Sequence, residues 1–206
     1  MTSTIKDVAA SSPTIYFGYG SNLWLHQMDL RCPTSKYLGV ARLNGYKWII
    51  NGRGYANVVE VKSKADRHKH VVFGLVYSLK KKDEARLDVN EGVPDAYTKE
   101  YLACDFWAST DGGKVDVDQD QSVEKKMLVY IDRKRVEEST PKKEYIVRMN
   151  KGIVDAVKMG VPEEYVHSVM RRFIPEEGGN VDGDGKEGKE MEKKALRQAV
   201  AFVDEN

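Results

Sequence analysis

The octapeptide Tyr16-Phe17-Gly18-Tyr19-Gly20-Ser21-Asn22-Leu23 constrains this chain more than any other stretch. Its apolar lead, Ile15-Tyr16-Phe17, reads as a buried strand. The strand runs into Gly-Tyr-Gly-Ser-Asn, where two glycines allow backbone angles that other residues resist. Such a junction can turn several backbone N–H groups toward one small concavity, which suits a carboxylate or an oxyanion. Ser21 and Asn22 add side-chain donors. The plain alternative is a tight turn that binds nothing. Gly18-x-Gly20 is not a dinucleotide fingerprint, because Leu23 stands where the third glycine belongs and no βαβ unit follows. No Gly-Lys-Ser/Thr follows either, so the phosphate loop of nucleotide-hydrolysing enzymes is absent. Leu23 also breaks the Gly-x-Ser-x-Gly elbow of serine hydrolases.

Composition narrows the partners. Among 206 residues the charges nearly cancel, at a formal +1, although 32% of residues are charged. That balance predicts no nucleic-acid and no membrane-surface partner. No apolar run approaches the roughly 20 residues of a membrane span. The first 13 residues are polar and lack the apolar core of a secretory leader. Cys32 and Cys104 are too few for a disulfide framework and fit a reducing compartment, so a cytoplasmic location is expected. The sequence carries no reading of oligomeric state.

One domain with tails is expected: an unstructured arm over 1–13, a folded unit over 14–175, and a charged, glycine-rich linker over 176–206 ending in a short isolated helix through Leu196, Val200 and Val203. Strand patterns fall at 15–20, 36–50 with a break near Asn44-Gly45, 57–61, 71–79, 101–109 and 125–131. Helical patterns fall at 22–31, capped by Ser21 or Asn22, at 80–88, and at 141–159 and 163–173. Strands early and helices late predict an α+β fold, a mostly antiparallel sheet or barrel with helices against it.

Several side chains are candidates for chemistry, although most glutamates lie on a solvated face. Glu91 sits between a short helix and Gly92-Val93-Pro94, where packing can hold its backbone while its carboxyl enters a pocket. Burial there would raise its pKa toward neutrality and make it a proton acceptor. Asp83, Glu84, Asp88 and Asp95 are rival carboxylates and read as solvated. His68-x-His70 can put two rings on one strand face, but no third ligand is spaced for a metal, so none is expected. The acidic stretches near Asp116 and Asn180 lack the glutamate that closes a calcium loop. Gly52-Arg53-Gly54-Tyr55 can place Arg53 near a substrate carboxylate, but a surface turn is the plainer reading.

The octapeptide resembles the Y-x-Y-G-S-N-L signature of the γ-glutamylcyclotransferase family. Leu87-Asp88-Val89-Asn90-Glu91-Gly92-Val93-Pro94, followed by Tyr97, resembles that family's segment with the catalytic glutamate, and the separation of the two matches. Tyr145 at the head of a helix, followed by Gly160-Val161-Pro162-Glu163-Glu164-Tyr165, is a looser third likeness. The resemblance implies a small mixed barrel with flanking helices. It also implies conversion of a γ-glutamyl amino acid or peptide to 5-oxoproline, by attack of the substrate's own α-amine on its γ-carbonyl. That reaction calls for a small-molecule γ-glutamyl substrate and no cofactor. The implied roles follow: Gly20, Ser21, Asn22 and Leu23 hold the glutamyl end through backbone donors, and Glu91 shuttles the proton. Tyr145 bonds substrate near the leaving group, while Tyr19, Tyr97 and Tyr130 line the pocket. The same resemblance admits relatives that act on γ-glutamyl-amines or secondary metabolites, and a non-catalytic metabolite-binding protein.

Overall fold

In the computed structural model, which describes residues 12–176 and 186–201, the first strand is β1 (Thr14–Gly18). It passes through a 3-10 turn, Ser21–Leu23, into the short helix α1 (Leu25–Arg31). Next come β2 (Lys36–Asn44) and β3 (Tyr46–Ile50), divided by Gly45 at φ 77°. β4 (Ala56–Glu60) returns against β3. β5 (Val71–Leu79) leads into α2 (Lys81–Asn90). β6 (Thr98–Ala108) and β7 (Val123–Ile131) flank the acidic, glycine-containing loop. The helices α3 (Lys143–Met159), α4 (Glu163–Ser168) and α5 (Lys186–Val200) complete the chain.

Five strands close into a barrel in the order β1-β5-β2-β6-β7, and β3-β4 form a separate two-stranded sheet. All pairings are antiparallel except β1 with β7, where Tyr16 pairs with Leu128. Closure leaves no barrel edge open to another chain. The expected α+β class, a small mixed and mostly antiparallel barrel with flanking helices, is therefore the fold adopted. Its interior is apolar: Phe17, Val40, Leu75 and Leu128 are fully buried. No helix among the described residues is long and apolar enough to cross a membrane.

Three expectations need correction. The first turn of α1 is not capped by Ser21 or Asn22; Asp155 of α3 accepts from the Leu25 N–H at 2.9 Å instead. His68 lies in a 3-10 turn, Arg67–Lys69, and His70 follows it, so the two do not share a strand face. The C-terminal helix is not isolated. Ala195 and Ala199 are fully buried, while Leu196 and Val200, expected to form its apolar face, are exposed. Alanines four apart lie on one side of a helix and let its backbone come close to a neighbour. Lys151 of α3 pairs with Glu192 at 3.0 Å, and Arg31 of α1 bonds the carbonyls of Gln198 and Ala199. Residues 1–11 of the expected arm, 177–185 of the expected linker and Val203 lie outside the described residues.

Candidate active site

Antiparallel pairing of β6 with β7 and parallel pairing of β7 with β1 bring three strand ends together. The ends of β1 and β7 and the start of β6 meet at one mouth of the barrel. The C-terminal end of α2, the start of α3 and the start of β4 face the same space. One cavity results, lined by the turn residues Tyr19 to Asn22, by Glu91, and by Tyr97, Tyr130 and Tyr145. Leu23 is the exception among the expected site residues. Its side chain is fully buried, and its backbone N–H donates to the Gly20 carbonyl at 2.9 Å. That donor is spent on the turn and is not offered to a ligand.

Glu91 closes α2, its N–H donating to the Leu87 carbonyl. It is half-buried, with its carboxyl turned to the cavity that it lines. The Asn22 amide nitrogen donates to Oε1 of Glu91 at 3.2 Å. Burial raises the Glu91 carboxyl above its ordinary value; the Arg31 charge, the Asn22 hydrogen bond, and the charges of Arg148 and Arg53 oppose the rise. A carboxyl whose anion is disfavoured by burial accepts a proton more readily than a solvated one, and can give it back.

The Asn22 side chain is fully engaged by protein. Its amide nitrogen also donates to the Tyr16 hydroxyl at 2.8 Å. Its Oδ1 accepts from Gln27 at 2.8 Å and from Arg31 at 3.2 Å. The Asn22 side chain is thus a brace for Glu91 and not a ligand donor. Ser21 sits in the same network: its Oγ accepts from Gln27 and from Nη1 of Arg148, each at 3.0 Å. With both lone pairs used, the hydroxyl proton of Ser21 remains to donate. Arg148 is held by a two-pronged pair with Glu144, at 2.8 and 3.0 Å, and is 1% exposed.

The tyrosines divide by role. Tyr145 accepts the backbone N–H groups of Ser21 and Ala56, each at 3.2 Å. Burial pushes its pKa up to about 12, against the Arg148 charge and the two backbone bonds, so near neutral pH the phenol keeps a proton to donate. Tyr19 and Tyr97 spend their hydroxyls on the carbonyls of Tyr130, at 2.6 Å, and Ala56, at 2.9 Å. Tyr130 donates to Asp88 at 2.7 Å. These three contribute ring walls.

Sequence reasoning missed Tyr16, Arg31, Tyr55 and Arg148, which also line the cavity. Arg148 was findable: it falls three residues after Tyr145, on the same helix face. Arg31 carried no local signal, since its place depends on α5. Arg53 is half-buried and stacks over Tyr55 and Tyr97, at 5.7 and 5.8 Å from their ring centres, so the surface-turn expectation fails. Of the rival carboxylates, Asp83 is buried and accepts from Thr34 at 2.5 Å. Asp88 pairs with Lys99 at 3.0 Å. Neither these two nor Glu84 and Asp95 line the cavity. Among the described residues no group of three or more His, Cys, Asp or Glu side chains could hold a metal.

Known proteins share this arrangement of elements. The gamma-glutamyl cyclotransferase of Bos taurus is 31% identical over 110 residues, 48% of this chain, and the match spans about half of that relative's length, 54%. A solved structure described as a gamma-glutamyl cyclotransferase superposes with a TM-score of 0.61 at 21% identity, covering 88% of this chain and 98% of its own. A yeast gamma-glutamyl cyclotransferase described as specific to glutathione superposes at 0.52, with 14% identity and coverage of 77% and 94%. At those identities the superpositions speak for the fold. The family model described as gamma-glutamyl cyclotransferase, AIG2-like, matches residues 16–147, more than half of the sequence and the whole of the cavity's turn and Glu91 segments. The chain belongs to that family.

Proposed function

We propose that this protein converts the γ-glutamyl group of an amino acid or peptide to 5-oxoproline and releases the attached amine. The observation that carries the reading is the half-buried Glu91 carboxyl, its ionisation held up by desolvation, facing the same small cavity as the Ser21 and Tyr145 hydroxyls.

The chemistry follows from what each group has left to give. The substrate's α-ammonium must lose a proton before its lone pair can attack, and Glu91 takes it. The nitrogen then bonds the γ-carbonyl carbon, the bond from that carbon to the leaving nitrogen breaks, and Glu91 delivers a proton to the leaving nitrogen. The ammonium gives up two protons in becoming the ring N–H, and the departing nitrogen gains two in becoming an ammonium. Glu91 therefore ends as it began. The Ser21 N–H and Leu23 N–H are already bonded within the protein. Backbone holding of the glutamyl end thus falls to Gly20 and Asn22, joined by the Ser21 hydroxyl. The Tyr145 hydroxyl donates near the developing oxyanion or the leaving nitrogen. Cavity walls of Tyr19, Tyr97 and Tyr130 fold the flexible chain so that amine and carbonyl meet, at about 3–3.5 Å in a near-attack geometry.

Incubation with γ-glutamyl amino acids, γ-glutamyl dipeptides, glutathione and γ-glutamyl-ε-lysine, followed by mass spectrometry, tests the reading. It expects 5-oxoproline from at least one amino-acid or peptide conjugate. Turnover confined to γ-glutamyl-ε-lysine would assign the amine-cleaving reaction. Binding without turnover across the panel would mean a metabolite-binding protein.

A further inference from the structure

Arg31 is 4% exposed and stands in the cavity wall. Its Nε donates to the Ala199 carbonyl at 3.0 Å and its Nη2 to the Gln198 carbonyl at 2.7 Å. Its Nη1 donates to Oδ1 of Asn22 at 3.2 Å, and the Asn22 amide donates to Glu91 at 3.2 Å. A guanidinium is a rigid plane, so fixing two of its nitrogens aims the third. The carbonyls it grips lie in the last turn of α5, at the negative end of the helix dipole.

We propose that α5 is a positioning element of the active site: its last-turn carbonyls hold Arg31, and Arg31 aims Asn22 at the Glu91 carboxylate. The role of Glu91 is taken from the reading above. The family match ends at residue 147, so this brace comes from outside the matched region. Burial and the nearby Arg148 charge lower the Arg31 pKa to about 10, which leaves it charged at neutral pH.

Releasing α5 would open two edges of Arg31 to water and loosen its hold on Asn22. A hydrated cation favours the Glu91 anion less than one fixed in the wall, so Glu91 would titrate higher. The other charges acting on Glu91 are Arg148 of α3 and Arg53 of the β3–β4 loop. Tyr16, Tyr19, Tyr97, Tyr130 and Tyr145 line the same cavity, and Cys32, after α1, is close enough for its thiol to respond to the Glu91 charge. Burial pushes all five phenols and the thiol up, so they stay neutral where Glu91 titrates.

The test is the midpoint of the Glu91 carboxyl by carbon NMR of carboxyl-labelled protein, assigned with Glu91→Gln. In the full chain, Ala195→Asp places a charge in the α5 contact, and amide exchange over residues 190–199 reports release. Release should raise the midpoint by about one pH unit, the lower end of a neighbouring charge's effect. Arg31→Lys, which keeps the charge and loses the fork, should raise it too, and the acidic limb of kcat/KM should move with it. In an Arg31→Met background Ala195→Asp should add nothing further, because α5 acts through Arg31. An unmoved midpoint on release of α5, an unmoved midpoint in Arg31→Lys, or a fully additive shift in the double variant would each overturn the proposal. A shifted midpoint in a protein that makes no 5-oxoproline would refute the reaction and leave the brace standing.

Discussion

The Asn22 amide nitrogen lies 3.2 Å from Oε1 of Glu91, joining the turn after β1 to the end of α2. These residues are 69 positions apart in sequence. The two stretches that mark the family are therefore one device: the first holds the carboxyl that the second supplies. Burial disfavours the Glu91 anion while that amide and several cations favour it, so small changes at the brace should move its ionisation.

Asn22→Ala tests the brace. It removes the hydrogen bond that favours the Glu91 anion and leaves Gln27 and Arg31 short of a partner. Unpairing buried polar groups costs about 1–3 kcal/mol, so the unfolding midpoint in denaturant should fall. The acidic limb of the pH–rate profile should move to higher pH, since the anion loses support. A variant with unchanged stability and unchanged limb would show that the bond carries neither load.

Tyr145→Phe separates a wall from a donor. The hydroxyl satisfies the N–H groups of Ser21 and Ala56, and each left unpaired costs about 1–3 kcal/mol. The turn should loosen, visible as faster amide exchange at Ser21 and Ala56. Turnover should fall more than binding of 5-oxoproline weakens, because the donor matters most as charge develops. Equal losses in both would make Tyr145 a scaffold alone.

Gly20→Val probes how tightly the turn is packed. A Cβ at Gly20 would lie 2.9 Å from the Tyr145 hydroxyl and 3.2 Å from the Ala56 Cβ. The obstacle is space, because Gly20 has φ −109°, which other residues adopt. Titration calorimetry should find no 5-oxoproline binding in folded Gly20→Val. Unchanged affinity would place the glutamyl site elsewhere.

Much of this was legible in the sequence, because the informative features are local. β5 was found at its observed ends, 71–79, from a continuous apolar run, and α3 from its apolar spacing. The turn residues and Glu91 were put forward by the family resemblance, since the residues alone fit a plain turn and a solvated glutamate as well; the structure brings both to one cavity. What escaped depends on distant chain segments. Leu23 looked like a donor until the turn's own hydrogen bond claimed its N–H. Arg31 and Asp155 act across contacts between α1, α3 and α5 that no local pattern encodes. The docking of α5 was missed because it uses Ala195 and Ala199, small residues that carry little weight in an apolar-face reading.

The pH dependence has a definite sign. Glu91 must be ionised to accept the ammonium proton, so activity should rise with pH through its ionisation. Burial holds that ionisation above the ordinary glutamate value, against Arg31, the Asn22 bond, Arg148 and Arg53. The acidic limb of kcat/KM should therefore lie above about 4.3, the free glutamate value. A limb at or below that value would mean that the cations outweigh burial.

The most direct measurement compares 5-oxoproline formation by the native protein and by Glu91→Gln, on the same γ-glutamyl substrate and with both proteins shown to bind 5-oxoproline. The glutamine keeps an oxygen for the Asn22 amide and cannot carry the proton. Turnover should fall by roughly 10²–10⁴, the range for a general acid–base group, with affinity for 5-oxoproline preserved. Glu91→Gln protein that binds 5-oxoproline and forms it at the native rate would contradict the account.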